Sequence, residues 1–172
     1  MNIVVLTAAR PFASDVANEL QRHLVNNLRR HGVASEAIRI PTSADSPEHL
    51  IDYMVMCRAL QLANVDRVIA LRFPAYLIAH PSKVCWVIHP WHEADRAADS
   101  SCIPNTPRGH EIRRLIQHSD SECLGQACKL FAGSSLISEQ LKVRNGLNSE
   151  VLIPPLPSSD VSWTATIKKL LS

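Results

Sequence analysis

Residues 2–32, NIVVLTAARPFASDVANELQRHLVNNLRRHG, place two hydrophobic patterns side by side. The run 2–7 (NIVVLT) is short, β-branched and closed by a polar loop, which predicts a buried strand. From Asp15 to His31 the period changes. Val16, Leu20, Leu24 and Leu28 recur every four residues and form one apolar helix face. Asp15 is the predicted N-cap and Gly32 the predicted C′ residue. A buried strand running into an amphipathic helix is one βα unit, so the fold depends on whether the unit repeats.

It does repeat. A second strand is predicted at 34–40, stopping at Pro41. Ser46 then caps a helix opened by Pro47 and running to about Asn64. Strands follow at 67–71 and 83–89, with a short helix or turn at 74–79 between them. Thr106 caps a helix over 107–128, and a strand at 129–133 leads to a helix over 135–145 that Gly146 stops. A last strand covers 150–153. Six strands alternating with helices predict an α/β class protein: a Rossmann-like, doubly wound parallel sheet of about six strands covered on both faces. Residues 1–156 form this domain. Pro154-Pro155-Leu156-Pro157 reads as a stiff linker, so 157–172 is linker and tail. Within the tail, 160–171 forms a short helix with Trp163, Ile167, Leu170 and Leu171 on one stripe.

Composition sets the outer limits. The chain has 172 residues, 46% of them hydrophobic and 20% charged, enough for one core. A net charge of +2 with interspersed signs gives no electrostatic case for nucleic acid. Cys57, Cys85, Cys102, Cys123 and Cys128 are odd in number and lack C-x-x-C spacing, so structural thiols in a reducing compartment are expected. No basic leader precedes the first apolar run, and no run reaches membrane-spanning length. The expected location is cytoplasmic. Peripheral attachment to the inner face of a membrane stays open, hinted at only by Arg29-Arg30 and Arg113-Arg114.

The stretch Val87-Ile88-His89-Pro90-Trp91-His92-Glu93-Ala94-Asp95 invites a metal-site reading, with His89, His92 and Asp95 as ligands of a hydrolase. That spacing aligns ligands only on one helix, and Pro90 pushes His89 out of the helical region. His89 therefore ends the fourth strand, at the rim where α/β proteins bind ligands. His92, Glu93 and Asp95 belong to a long loop, and solvated loop residues are their plainer reading. The first strand–helix loop, Thr7 to Asp15, has no glycine to bring backbone close to a phosphate. Asp15 also puts a carboxylate where an anion would otherwise sit. No bound nucleotide is expected from this loop.

Several phrases in order complete the picture: Ala9-Arg10-Pro11-Phe12; 67–77 (RVIALRFPAYL); 80–89 (HPSKVCWVIH); Phe131-Ala132-Gly133-Ser134-Ser135; and 145–155 (NGLNSEVLIPP). Together, over residues 2–156, the chain resembles the N-terminal half of family 4 (group 1) glycosyltransferases of the GT-B fold. The resemblance implies an acceptor-side domain, with a separate C-terminal domain holding the nucleotide-sugar donor. It implies sugar transfer to a hydroxyl, with retention, in polysaccharide or glycolipid biosynthesis. His89 matches the cleft histidine at the end of the fourth strand; Arg10, Phe12, Trp91 and His92 are the expected acceptor-binding residues. The last helix in such proteins packs back on the N-terminal domain, so the tail at 160–171 is expected to cap this one.

Two departures qualify the resemblance. Ser14-Asp15 stands where the family has Gly-Gly, and nothing matches the family's donor-side glutamates. The expectation is half of a transferase, inactive alone, working with a donor-domain chain and a small-molecule or glycan acceptor. A nucleotide-sugar would bind only with that second domain, and no metal is expected. The alternative is a non-catalytic binding or regulatory protein that kept the fold.

Overall fold

The computed structural model describes residues 1–9, 12, 15–42, 46–89, 103–157 and 159–172. Among them, six strands alternate with helices: β1 (Asn2–Ala9), α1 (Val16–Arg30), β2 (Ala34–Pro41), α2 (Pro47–Ala59), β3 (Arg67–Arg72), a 3-10 turn (Ala75–Leu77), β4 (Lys83–His89), α3 (Pro107–Gly125), β5 (Lys129–Ala132), α4 (Ser135–Asn145), β6 (Glu150–Val151) and α5 (Asp160–Leu171). All pairings are parallel, in the order β2-β1-β3-β4-β5-β6. This is a Rossmann-like doubly wound α/β fold. The chain reverses its direction of winding between β1 and β3, which makes their carboxyl ends the switch point.

Strand alternation assigns the two faces. Ile3, Val5, Ile69, Leu71, Val84, Trp86 and Ile88 pack with α1 and α5. Val4, Leu6, Ala8, Val68, Ala70, Cys85 and Val87 pack with the 3-10 turn, α2, α3 and α4. Each face is therefore apolar, as a parallel sheet covered on both sides requires. Gln21, fully buried on α1, joins helix to sheet by donating to the carbonyls of Val5 (2.8 Å) and Ile38 (3.0 Å).

The expected caps form: Asp15 accepts from the Asn18 N–H, Ser46 from His49 and Thr106 from Gly109. Gly32 and Gly146 adopt positive φ, +75° and +68°, as helix-ending residues do. β1 runs on to Ala9, two residues past its predicted end, and three further ends need correction. The second helix stops at Ala59, not near Asn64, because Leu60 turns extended (ψ 130) and Leu62 and Val65 pack on the core as they lead into β3. The third stops at Gly125, not Cys128, because the Cys128 N–H joins the sheet at the amino end of β4, on the Lys83 carbonyl (2.8 Å). β6 has two residues, not four; the Leu152 N–H still reaches Ala132, after which Pro154 and Pro155 offer no donors.

The tail stripe is buried as predicted for Trp163, Ile167 and Leu170, while Leu171 is partly exposed. An aromatic residue the size of Trp163 removes roughly 150–250 Å² from water. At ~25 cal/mol/Å² that contributes about 4–6 kcal/mol before entropy. α5 lies across the amino ends of the strands. Its first turns meet the end of α1 through Asp160–Arg30 (3.7 Å) and Thr164–His31 (3.0 Å). Its last turn takes Arg67 on the Leu170 carbonyl (2.9 Å), Lys129 on the Ser172 hydroxyl (2.6 Å) and Glu150 on Lys169 (2.5 Å).

Candidate binding site at the carboxyl ends of the strands

β4 ends at His89, as its apolar run and the following proline require. The strand does not run in simple step with β3. Ala70 is level with Cys85, yet Arg72 is level with His89, so two steps along β3 match four along β4. An irregularity of this kind re-aims side chains at a sheet rim, and here it brings His89 beside Arg72. The His89 residue is half-buried, and no group among the described residues hydrogen-bonds its imidazole.

Arg72 is held from the other side. Its Nη1 donates to Asp15 Oδ2 (2.5 Å), a partner on the first helix and 57 positions away in sequence. Asp15 Oδ1 accepts the Asn18 N–H (2.9 Å), so one carboxylate both caps α1 and fixes the guanidinium. Side-chain exposure is 36% for Asp15 and 23% for Arg72, which leaves the pair at the edge of solvent and out of the deep core. Asp15 and Arg72 thus come from the β1–α1 connection and β3, which flank the switch point, and His89 comes from the next strand, β4.

Phe12 lies in the same β1–α1 connection. Its ring is fully exposed and its backbone holds a positive φ of 61°. A bulky residue in that conformation is unusual, and such backbone strain clusters at ligand-binding and active sites. The other wall begins past β5. A Cβ on Gly133 would come within 3.1 Å of Ile88 Cδ1 and 3.3 Å of the Val87 carbonyl, so glycine permits the close approach of β5 and β4 before Ser134 caps α4. Ahead of α3, the Ile103-Pro104 segment packs on Gly109, where a Cβ would stand 1.9 Å from the Pro104 carbonyl oxygen, and Arg113 donates to Ile103 O (2.6 Å).

Of the predicted site residues, the structure brings His89 to the rim at the end of β4 and leaves Phe12 exposed in the β1–α1 connection. Arg10, Trp91, His92 and Asp95 lie outside the described residues. Among the described residues no group of three His, Cys, Asp or Glu side chains is placed to hold a metal ion. Arg72 is the member that sequence reasoning missed. Its one sequence signal was an arginine directly after the predicted third strand; that this strand borders the switch point is decided by the strand order.

The remaining ionisable groups of the interior are structural. Burial pushes the Cys85 thiol up to about 12 and the Cys57 thiol up to about 11, so neither offers a thiolate near neutral pH. Burial also raises the Asp120 carboxyl, opposed by hydrogen bonds from the Tyr76 hydroxyl and Asn145 Nδ2. Lys83, almost fully buried, donates to the carbonyls of Tyr76 (2.9 Å) and Ile78 (3.3 Å). No described helix is long and apolar enough to cross a membrane.

No protein-family model matches the chain, and no curated protein sequence matches it.

Proposed function

We propose that this chain is the acceptor-binding half of a sugar-transfer assembly, holding a hydroxyl-bearing acceptor at the carboxyl ends of β1, β3 and β4. The observation that carries the reading is the His89 imidazole, uncommitted among the described residues and level with Arg72 of the Asp15–Arg72 pair. A neutral imidazole both donates and accepts hydrogen bonds, which suits a sugar hydroxyl near neutral pH. A carboxylate and a guanidinium add an acceptor and a fork of donors. The exposed Phe12 ring offers a flat apolar surface for the C–H face of a pyranose. His89 is the residue assigned to the reaction centre, polarising the acceptor hydroxyl.

The same geometry argues that the chain does not transfer sugar alone. Stabilising the transition state requires a grip on the departing diphosphate, and the head of α1 is occupied by Asp15. A second protein chain carrying the nucleotide-sugar would supply that grip. Contact with a lipid-linked acceptor at the inner face of a membrane fits the same role.

The test is a nuclear magnetic resonance titration of the labelled chain with a panel of neutral mono- and oligosaccharides. We expect saturable shifts at Phe12, Asp15, Arg72 and His89, weakened roughly tenfold or more in His89→Ala, the loss of about one good hydrogen-bonding group. A panel that leaves all four signals unmoved overturns the reading. A second reading, a binding or regulatory protein with no transfer chemistry, is favoured by Asp15 itself. Saccharide binding without co-purification of any stoichiometric nucleotide-sugar-binding chain would select it.

A further inference from the structure

The ends of β1 and β3 hold both elements of an anion site. The first-turn N–H groups of α1 and its positive dipole end face the switch point, and a guanidinium stands beside them. In this chain one side chain takes a contact from each. Asp15 Oδ1 takes the Asn18 N–H and Oδ2 takes Arg72 Nη1, so the carboxylate occupies the two contacts a phosphate oxygen pair would use. Glu19, in the same first turn, adds negative charge and is itself paired with Arg22.

We infer that Asp15 is the specificity-determining residue of this site: it fills the anion seat, neutralises Arg72, and so admits uncharged, hydroxyl-bearing ligands while refusing phosphate and sulfate groups. The inference deepens the proposed acceptor role, on which it rests for the identity of the admitted ligand. A purely structural N-cap would have no such effect, and the two roles separate cleanly. Asparagine and serine cap helices about as well as aspartate, so Asp15→Asn and Asp15→Ser keep the cap and remove the charge.

The experiment titrates inorganic phosphate, and separately sulfate, into the wild-type chain, Asp15→Asn, Asp15→Ser and the double variant Asp15→Asn/Arg72→Gln. The signals followed are the amides of Val16–Glu19 and the Arg72 side-chain N–H. The wild type is expected to show only weak, non-saturating shifts. Each single variant is expected to bind phosphate roughly tenfold or more tightly, the gain of one charge-assisted hydrogen bond. The double variant is expected to return to the wild-type response.

Saturable phosphate binding at Arg72 in the wild type overturns the inference. So does a lack of gain in both folded single variants, with folding checked by their spectra and thermal transitions. The saccharide panel, run on the same samples, distinguishes the two proposals. Phosphate gain without any saccharide binding removes the acceptor reading and leaves the anion-excluding role of Asp15 standing.

Discussion

β3 carries an arginine at each end, and β4 has a histidine just before it and another as its last residue. The two ends of the sheet use them differently. At the amino end, Arg67 donates to the Leu170 carbonyl and to Ser82 Oγ (3.2 Å), tying the tail helix to the sheet. His80 accepts the Ser82 N–H on Nδ1 and donates from Nε2 to the Val65 carbonyl, both at 3.1 Å, which fixes its tautomer. At the carboxyl end, Arg72 is committed to a side chain near solvent, and His89 is committed to nothing among the described residues. The lesson is that identical residue types are tied into the fold or left near solvent according to which end of a parallel sheet they occupy. The tail helix closes the amino end, whereas the carboxyl ends of β1 and β3 form the switch point of the winding.

The comparison breaks first if the tail is dispensable. Trp163→Ala should cost about 3–5 kcal/mol, as large-to-small changes of buried aromatics do. In a domain of this size the melting temperature should then fall by roughly 6–20 °C in calorimetry. An unchanged transition would mean that α5 does not close the amino edge. Arg67→Ala comes next, at about 1.5–3 kcal/mol for hydrogen bonds made by a charged group, read from urea unfolding. A cost equal to that of Arg72→Ala would erase the contrast between the ends of β3. The exposed Asp15–Arg72 pair should itself be worth about 1 kcal/mol or less.

The interior supplies a pH-dependent reference between the two edges. Asp120 has its carboxyl raised by burial above the ordinary 3.8, in spite of the hydrogen bonds from Tyr76 and Asn145. The folded state therefore binds the proton more tightly than the unfolded chain, so Asp120 stabilises most below that ordinary value. This contribution is lost as pH rises through the raised folded value. Measured across mildly acidic pH, wild-type stability should fall relative to Asp120→Asn as pH increases; a rise would reverse the assignment. The smallest effects sharpen the histidine contrast. His80→Ala should cost about 1 kcal/mol. His89→Ala should change stability by less than about 0.5 kcal/mol while weakening saccharide binding in the titration described above.

Much of this was legible from the amino-acid order. β-branched runs of period two or continuous apolarity placed all six strands, and β4 ends at His89 as the apolar run and Pro90 imply. Asp15, Ser46 and Thr106 were readable as caps because their side-chain oxygens reach N–H groups three residues on, a local event. The missed helix ends share a cause. Leu60 and Cys128 leave helical geometry because the core and the start of β4 claim them, and those partners are distant in sequence. The candidate site divides the same way. His89 could be named from strand and proline alone. Arg72 could not be joined to Asp15, because nothing local encodes a contact between the end of β3 and the head of α1.

The sequence by itself determined the alternation of strands and helices, the caps, and the histidine at the rim, because each follows from chemistry acting within a few residues. It also carried the apolar stripe of the tail. Tertiary structure alone decided the strand order, and with it the switch point between β1 and β3. It alone brought His89 level with Arg72 through the irregular β3–β4 register, and laid α5 across the amino edge. Those outcomes depend on long-range pairing that buries both faces of one sheet at once.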